Sequence, residues 1–143
     1  MTMSFVDSNL APGERVIYRG QVHWVIYLLP VMLLGFGITL AVSGMRAGLF
    51  MVPAGAFAGV AAWVRQTTSE FAVTDSRVIL KTGLFSRRTI EINRNSIESA
   101  QVEQDILGTL LNYGTIVLVG TGGTREPFSL IDNPADFRHA VLK

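Results

Sequence analysis

The chain has 143 residues, a formal net charge of +1, no cysteine, and 49% hydrophobic against 16% charged side chains. Its mean hydropathy of +0.39 is too apolar for an ordinary soluble domain, and its near-neutral charge excludes a polycation that grips nucleic acid. Without cysteine there are no disulfides, thiolate metal sites or cysteine nucleophiles.

The first stretch with a pattern is Arg15–Val22, RVIYRGQV, where Val16 and Tyr18 alternate with Ile17 and Arg19 as in a strand. Two uncharged runs follow, Trp24–Met45 and Ala47–Val64, separated by Arg46. A bilayer core of about 30 Å takes roughly 20 helical residues, so each run is long enough to cross it. Trp24, Tyr27 and Trp63 stand at the ends of the runs, where amphipathic rings settle at a membrane interface. Gly44, Arg46 and Gly48 leave room only for a tight connection, so an antiparallel helical hairpin is expected. The first run is too long for a signal peptide, holds Pro30 and lacks a small-residue cleavage site, so an uncleaved anchor is expected. Arg15 and Arg19 precede the hairpin, and Arg65, Arg77 and Lys81 follow it. Under the positive-inside rule both termini are then cytoplasmic, in a multi-pass protein of the inner (plasma) membrane.

Small residues recur in both runs. Gly35, Thr39 and Ser43 share one helical face, and Gly55 and Gly59 form a GxxxG with Ala54, Ala58 and Ala62 alongside. Small faces let membrane helices approach closely. Packing within the hairpin is the simpler use of them, and oligomerisation the other.

After Gln66 the pattern changes to a period of two. Phe71 and Val73, Val78 and Leu80, and Ile90 and Ile92 mark three successive strands, followed by a strand over 97–103. Asp105 is placed to cap a short helix, ILGTLL, that ends around Asn112–Gly114. TIVLVG and PFSLI are two further strands, the second with Phe128 and Leu130 facing inward. Between them lies GTGGT. Its glycines, Gly120, Gly122 and Gly123, match neither GxGxxG before a helix nor GxxxxGK[ST], so they predict a hairpin turn and no nucleotide site. In NPADFRHAVLK, Asn133 as N-cap and Pro134 at the first position open a terminal helix whose stripe is Phe137, Ala140 and Val141.

Six antiparallel strands and a terminal helix, with Arg15–Val22 as a seventh strand, resemble a pleckstrin-homology (PH) fold. Four stretches carry a closer resemblance: LAPGERVIYRGQVHW, TSEFAVTDSRVILKTGLFSRRTIEI, SIESAQVEQDILGTLLNYGTIVLVGTGGTREPF and NPADFRHAV. With these the chain resembles the bacterial PH-like membrane proteins, a family long catalogued as a domain of unknown function. The resemblance implies an α+β membrane protein: a two-helix transmembrane hairpin plus a PH-like antiparallel β-barrel capped by a C-terminal helix. The expected division is a cytoplasmic segment 1–22, the hairpin 23–65 and a cytoplasmic PH-like domain 66–143.

No catalytic group emerges from the residues. His23 and His139 lack metal-ligand spacing, no serine stands in GxSxG, and Glu98 and Glu103 have opposite strand parity unless a bulge intervenes; Asp105 completes the only carboxylate cluster in view. No cofactor or metal is expected. In KTGLFSRR, Lys81, Arg87 and Arg88 flank an apolar tip, Leu84 and Phe85, and together could meet anionic headgroups. A solvated hairpin with its tip tucked inward is the plain alternative. The expectation is therefore a non-enzymatic membrane scaffold or adaptor that binds a protein or copies of itself, with anionic-lipid sensing through residues 81–88 as the alternative. The bilayer and a protein are its expected partners, and nucleic acid and nucleotides are not.

Overall fold

The structure is a computed structural model that describes residues 4–83 and 88–143. It divides into a strand-rich unit, residues 1–23 with 68–143, and a helical unit, residues 24–67.

The helical unit begins with a 3-10 turn at Trp24–Tyr27, which runs into α2 (Leu28–Val42); α3 (Ala47–Thr68) returns after a turn. Its apolar side chains point outward: Leu29, Met32, Phe36, Phe50 and Phe57 are all at least 60% exposed. Trp24–Val42, the 3-10 turn and α2 together, and α3 are each long and apolar enough to cross a membrane. The contact between them is built on glycine. A Cβ on Gly48 would overlap the Ala41 backbone and lie 2.6 Å from the Gly37 carbonyl oxygen, and one on Gly55 would lie 2.9 Å from Leu34. Tyr27 Oη donates to Gln66 Oε1 at 2.6 Å across the open end of the hairpin.

The strand-rich unit starts with a one-turn helix, α1 (Phe5–Ser8), which the sequence pattern did not announce. Then come β1 (Val16–Gly20), β2 (Glu70–Thr74), β3 (Arg77–Thr82), β4 (Arg88–Asn93), β5 (Ile97–Glu103), α4 (Ile106–Leu111), β6 (Tyr113–Gly120), β7 (Arg125–Asp132) and α5 (Pro134–Leu142). Among the described residues these strands form two antiparallel sheets, β1-β2-β3-β4 and β5-β6-β7, and not the single barrel expected. The 3-10 turn Arg94–Ser96 between β4 and β5 starts a second sheet where a barrel would carry the ladder on. The sheets join where the chain beyond β1 bridges across, Val22 pairing with Ile131.

The core lies between the sheets and under α5. Phe71 and Phe128 meet edge to face with centroids 6.3 Å apart. Phe137 of α5 is fully buried, and its ring lies 5.9 Å from Tyr18, edge to face. Gly20 leaves room there, since a Cβ would stand 3.0 Å from the Phe137 ring, tighter than an ordinary contact.

Three sequence expectations change in detail. Half-burial was expected for β2 and β3, but Ala72 and Ile79, which alternate away from the main core, are also fully buried. Val6 of α1 covers them, with Leu10 and Val16 packed alongside. Leu130 was expected inward with Phe128, yet it is Ile131 that is fully buried. Leu130 has φ +60°, and β7 is bulged there, with Ser129 and Leu130 together opposite Thr115 of β6, which resets the alternation. Asn133 starts α5 at φ +48° without a side-chain cap, because its amide oxygen accepts from Asn112 Nδ2 instead. The GTGGT segment is the expected hairpin turn, with Gly122 at φ +96° and Gly123 at +79°.

Candidate functional site

The chain leaves the strand-rich unit for the first apolar helix at one corner, and that corner has a defined construction. Asp132 N donates to Gln21 O at 3.0 Å, and His23 N donates to Leu130 O at 2.8 Å. The left-handed turn at Leu130 accompanies this unusual hand-over between sheets. His23 is buried, with its ring centroid 5.4 Å from that of Tyr113 and Nε2 3.7 Å from Asp132 Oδ1. Trp24, the next residue, opens the helical unit.

The β3–β4 hairpin lies at the corresponding end of the first sheet. Phe71 pairs with Gly20, and Glu70 pairs with Lys81, so Lys81 is close in register to where β2 begins. Arg88 pairs with Thr82 at the start of β4. Arg87, Leu84 and Phe85 lie outside the described residues. The two described cations already have partners. Lys81 Nζ sits 4.1 Å above the Phe5 ring and beside the Glu70 carboxylate. Arg88 donates to Glu126 Oε2 at 2.9 Å while two-thirds exposed.

Two carboxylates bind the N-terminal segment to the first sheet. Glu70 accepts from Ser4 Oγ at 2.6 Å and from the amides of Phe5 and Val6, both at 3.2 Å, and so caps α1 from another strand. Burial pushes the Glu70 carboxyl up, but those bonds and Lys81 outweigh it and hold it below the usual range. Glu14 accepts from Arg77 at 2.9 and 3.0 Å, from Thr74 at 2.6 Å, from Ser76 at 3.0 Å and from the Ala11 amide at 2.8 Å. The Arg77 bonds, foremost, hold it at about 2 against its ordinary 4.5, although burial opposes them. Arg77 also reaches Glu91 and the Asn9 carbonyl, which leaves its guanidinium little capacity for a ligand. Sequence reasoning missed this network, since Glu14 stands 60 or more residues from Thr74, Ser76 and Arg77.

The helix faces also resolve. Gly55 is in the hairpin seam, while a Cβ on Gly59 would lie 3.8 Å from Pro30, an ordinary contact. Gly35, Thr39 and Ser43 face away from that seam and are exposed. The Thr39 and Ser43 hydroxyls donate to carbonyls of their own helix, Gly35 and Thr39, both at 2.9 Å.

The carboxylates weighed as catalytic have other surroundings. Asp105 caps α4, accepting from Gly108 N at 2.6 Å. A bulge does intervene between Ile97 and Ser99, so parity no longer separates Glu98 from Glu103, but five residues of strand hold them about 17 Å apart. Among the described residues no group of three or more His, Asp or Glu side chains could hold a metal.

Residues 24–143 match the family described as Bacterial PH domain. The chain belongs to that family. Neither the curated proteins nor the solved structures compared with it give a match. The family match starts at Trp24, so it takes in the helical hairpin, β2–β7 and α5, while β1 and the Glu14 network precede it.

In this bacterial PH domain the open seam between the sheets forms a groove of about 230 Å³. It is lined by Ile90 and Ile92 from β4, Ser96, Gly120 and Thr121, and Glu126 from β7. Half-buried isoleucines beside a strand edge that has no partner among the described residues suit a peptide segment better than a headgroup. A second cleft, of about 580 Å³, lies beside α4 between Glu103, Asp105, Tyr113 and Leu130, and presents carboxylates rather than cations. The Tyr113 hydroxyl there is pushed up by desolvation first and by Asp105 next.

Proposed function

We propose that this bacterial PH domain protein is a membrane-anchored, non-enzymatic scaffold or adaptor. Its two apolar helices cross the plasma membrane with both termini cytoplasmic, and its strand-rich unit binds a protein or a second copy of itself. The family supports a protein-interaction or lipid-binding module. The outward-facing Leu, Met and Phe side chains of the hairpin support anchoring, since such a surface is costly in water.

One observation favours protein binding over headgroup sensing. The described cations of the basic hairpin already face Phe5, Glu70 and Glu126, whereas the apolar seam along β4 is open. A phosphate at Lys81 or Arg88 would share each cation with a carboxylate already beside it, which offsets part of the ~1 kcal/mol typical of a cation at an anionic surface.

The test is a photoreactive residue placed at Thr121 or Thr124, both exposed and lining the groove, in the full-length membrane protein. Adducts of defined mass at these positions, unchanged by Lys81→Gln with Arg88→Gln, are expected, and their size separates a second copy from another protein. Absence of adducts, with a monomer in detergent and behaviour that depends on anionic lipid and on Lys81 and Arg88, would move the assignment to lipid sensing.

A further inference from the structure

Among the described residues, the most exposed apolar cluster of the strand-rich unit is on α4. Ile106 is 89% exposed, Leu107 51% and Leu110 78%. They occupy one helical face, since residues i, i+1 and i+4 span about 100°. The helix is held firmly, so the cluster is a fixed knob. Asp105 caps its start, Asn112 in the left-handed conformation ends it, and Gln104 Nε2 donates to the carbonyls of Gly108 at 3.1 Å and Tyr113 at 2.9 Å. Gly108, on the opposite face, is pressed so close to the sheet that a Cβ would lie 2.7 Å from the Tyr113 carbonyl. No charged residue occurs between Asp105 and Arg125.

We propose that Ile106, Leu107 and Leu110 insert into the headgroup–acyl boundary of the same bilayer that holds the chain's two helices, docking the PH unit on the membrane surface. This rests on the membrane reading of the hairpin. The occupant follows from chain continuity. Tyr113 is separated from α4 by one residue and packs against His23, and the residue after His23 begins the first apolar helix. The knob therefore stands beside the point at which the chain departs for the bilayer. Interfacial helices bury their apolar face about 5–10 Å into that boundary, a depth that projecting Leu and Ile side chains reach. Glu103 and Asp105 adjoin the knob, so this contact owes nothing to anionic headgroups and persists in neutral lipid and high salt.

The chain has no cysteine, so single spin labels report single sites. Three variants of the full chain, Leu110→Cys, Phe36→Cys on α2 and Thr121→Cys in the β6–β7 turn, are labelled in nanodiscs of phosphatidylcholine. Collision with oxygen and with a water-soluble nickel complex is then measured. The label at 110 is expected to behave like that at 36, open to oxygen and closed to nickel, with no change in 0.5 M salt, while the label at 121 stays open to nickel. If 110 is as open to nickel as 121 while 36 is not, the insertion is refuted and the anchoring stands. If 36 is also open to nickel, the anchoring itself fails. Spin–spin broadening at 110 that disappears on dilution with unlabelled chain would refute insertion in favour of a second copy.

Discussion

Removing two methyl groups from Val6 tests whether the N-terminal segment is an integral part of the PH unit. Val6 is 2% exposed and closes a small core over Ala72 and Ile79, both fully buried. Val6→Ala forfeits about 0.8 kcal/mol per carbon, or roughly 1.6 kcal/mol, and the cavity left adds about 1 kcal/mol at ~24 cal/mol per Å³. For a cooperative unit of about a hundred residues, ~2.5 kcal/mol corresponds to a Tm lower by about 10–20 °C. Tryptophan fluorescence is the wrong probe, because Trp24 and Trp63 both lie in the helical unit. Far-UV circular dichroism of the full chain in detergent, with hydrogen exchange of peptides spanning β2 and β3, reads the right part. A Tm within about 2 °C of wild type, with unchanged protection of β2 and β3, would show that α1 rests on the sheet without stabilising it.

Acid should loosen the same segment. The Glu14 carboxyl sits below its ordinary 4.5 in the folded state, at about 2, so its stabilising effect is complete above pH 4.5 and is lost as pH falls toward 2. Glu14→Gln should therefore be less stable at pH 7 and lose less between pH 5 and pH 3, leaving the smaller slope of Glu70, which is shifted in the same direction. Within the hairpin, Gly48→Ala should separate the helices, seen as lost resistance to SDS, whereas Gly35→Ala, which meets nothing within 4 Å, should be silent. Loss of Arg88 alone should cost little, about 0–1 kcal/mol, because its side chain is two-thirds exposed; a larger fall in Tm for Arg88→Gln would show that its pair with Glu126 ties the two sheets together.

The order of strands and helices after Gln66 was legible because period-two alternation and turn residues are local signals, as in Val78/Leu80 and GTGGT. The two apolar helices were equally legible from Trp24–Met45 and Ala47–Val64. What stayed hidden is non-local. α1 is one turn long with no periodicity, and it owes its place to Glu70, which caps it from 64 residues away. Burial on both faces of β2 and β3 follows from that cover and not from their own pattern. Closure failed to be legible for the same reason: nothing in Asn93–Ile97 says that the ladder stops and a second sheet begins. Of the small residues singled out, Gly55 stands in the hairpin seam, but the closest approach is at Gly48, against the Ala41 backbone and the Gly37 carbonyl, and only the packed geometry separates it from outward-facing Gly35. Asn133 fits every local rule for an N-cap, yet its side chain goes to Asn112, a partner set by the β6–β7 register.

Labelling in intact cells tests most directly whether a membrane hairpin holds the PH unit on the cytoplasmic side. Arg46, in the connection between α2 and α3, and Thr121, in the β6–β7 turn, are both exposed. A membrane-impermeant maleimide should modify Arg46→Cys in intact cells and reach Thr121→Cys only after the membrane is permeabilised. Modification of Thr121→Cys in intact cells, with Arg46→Cys protected, would contradict the assignment.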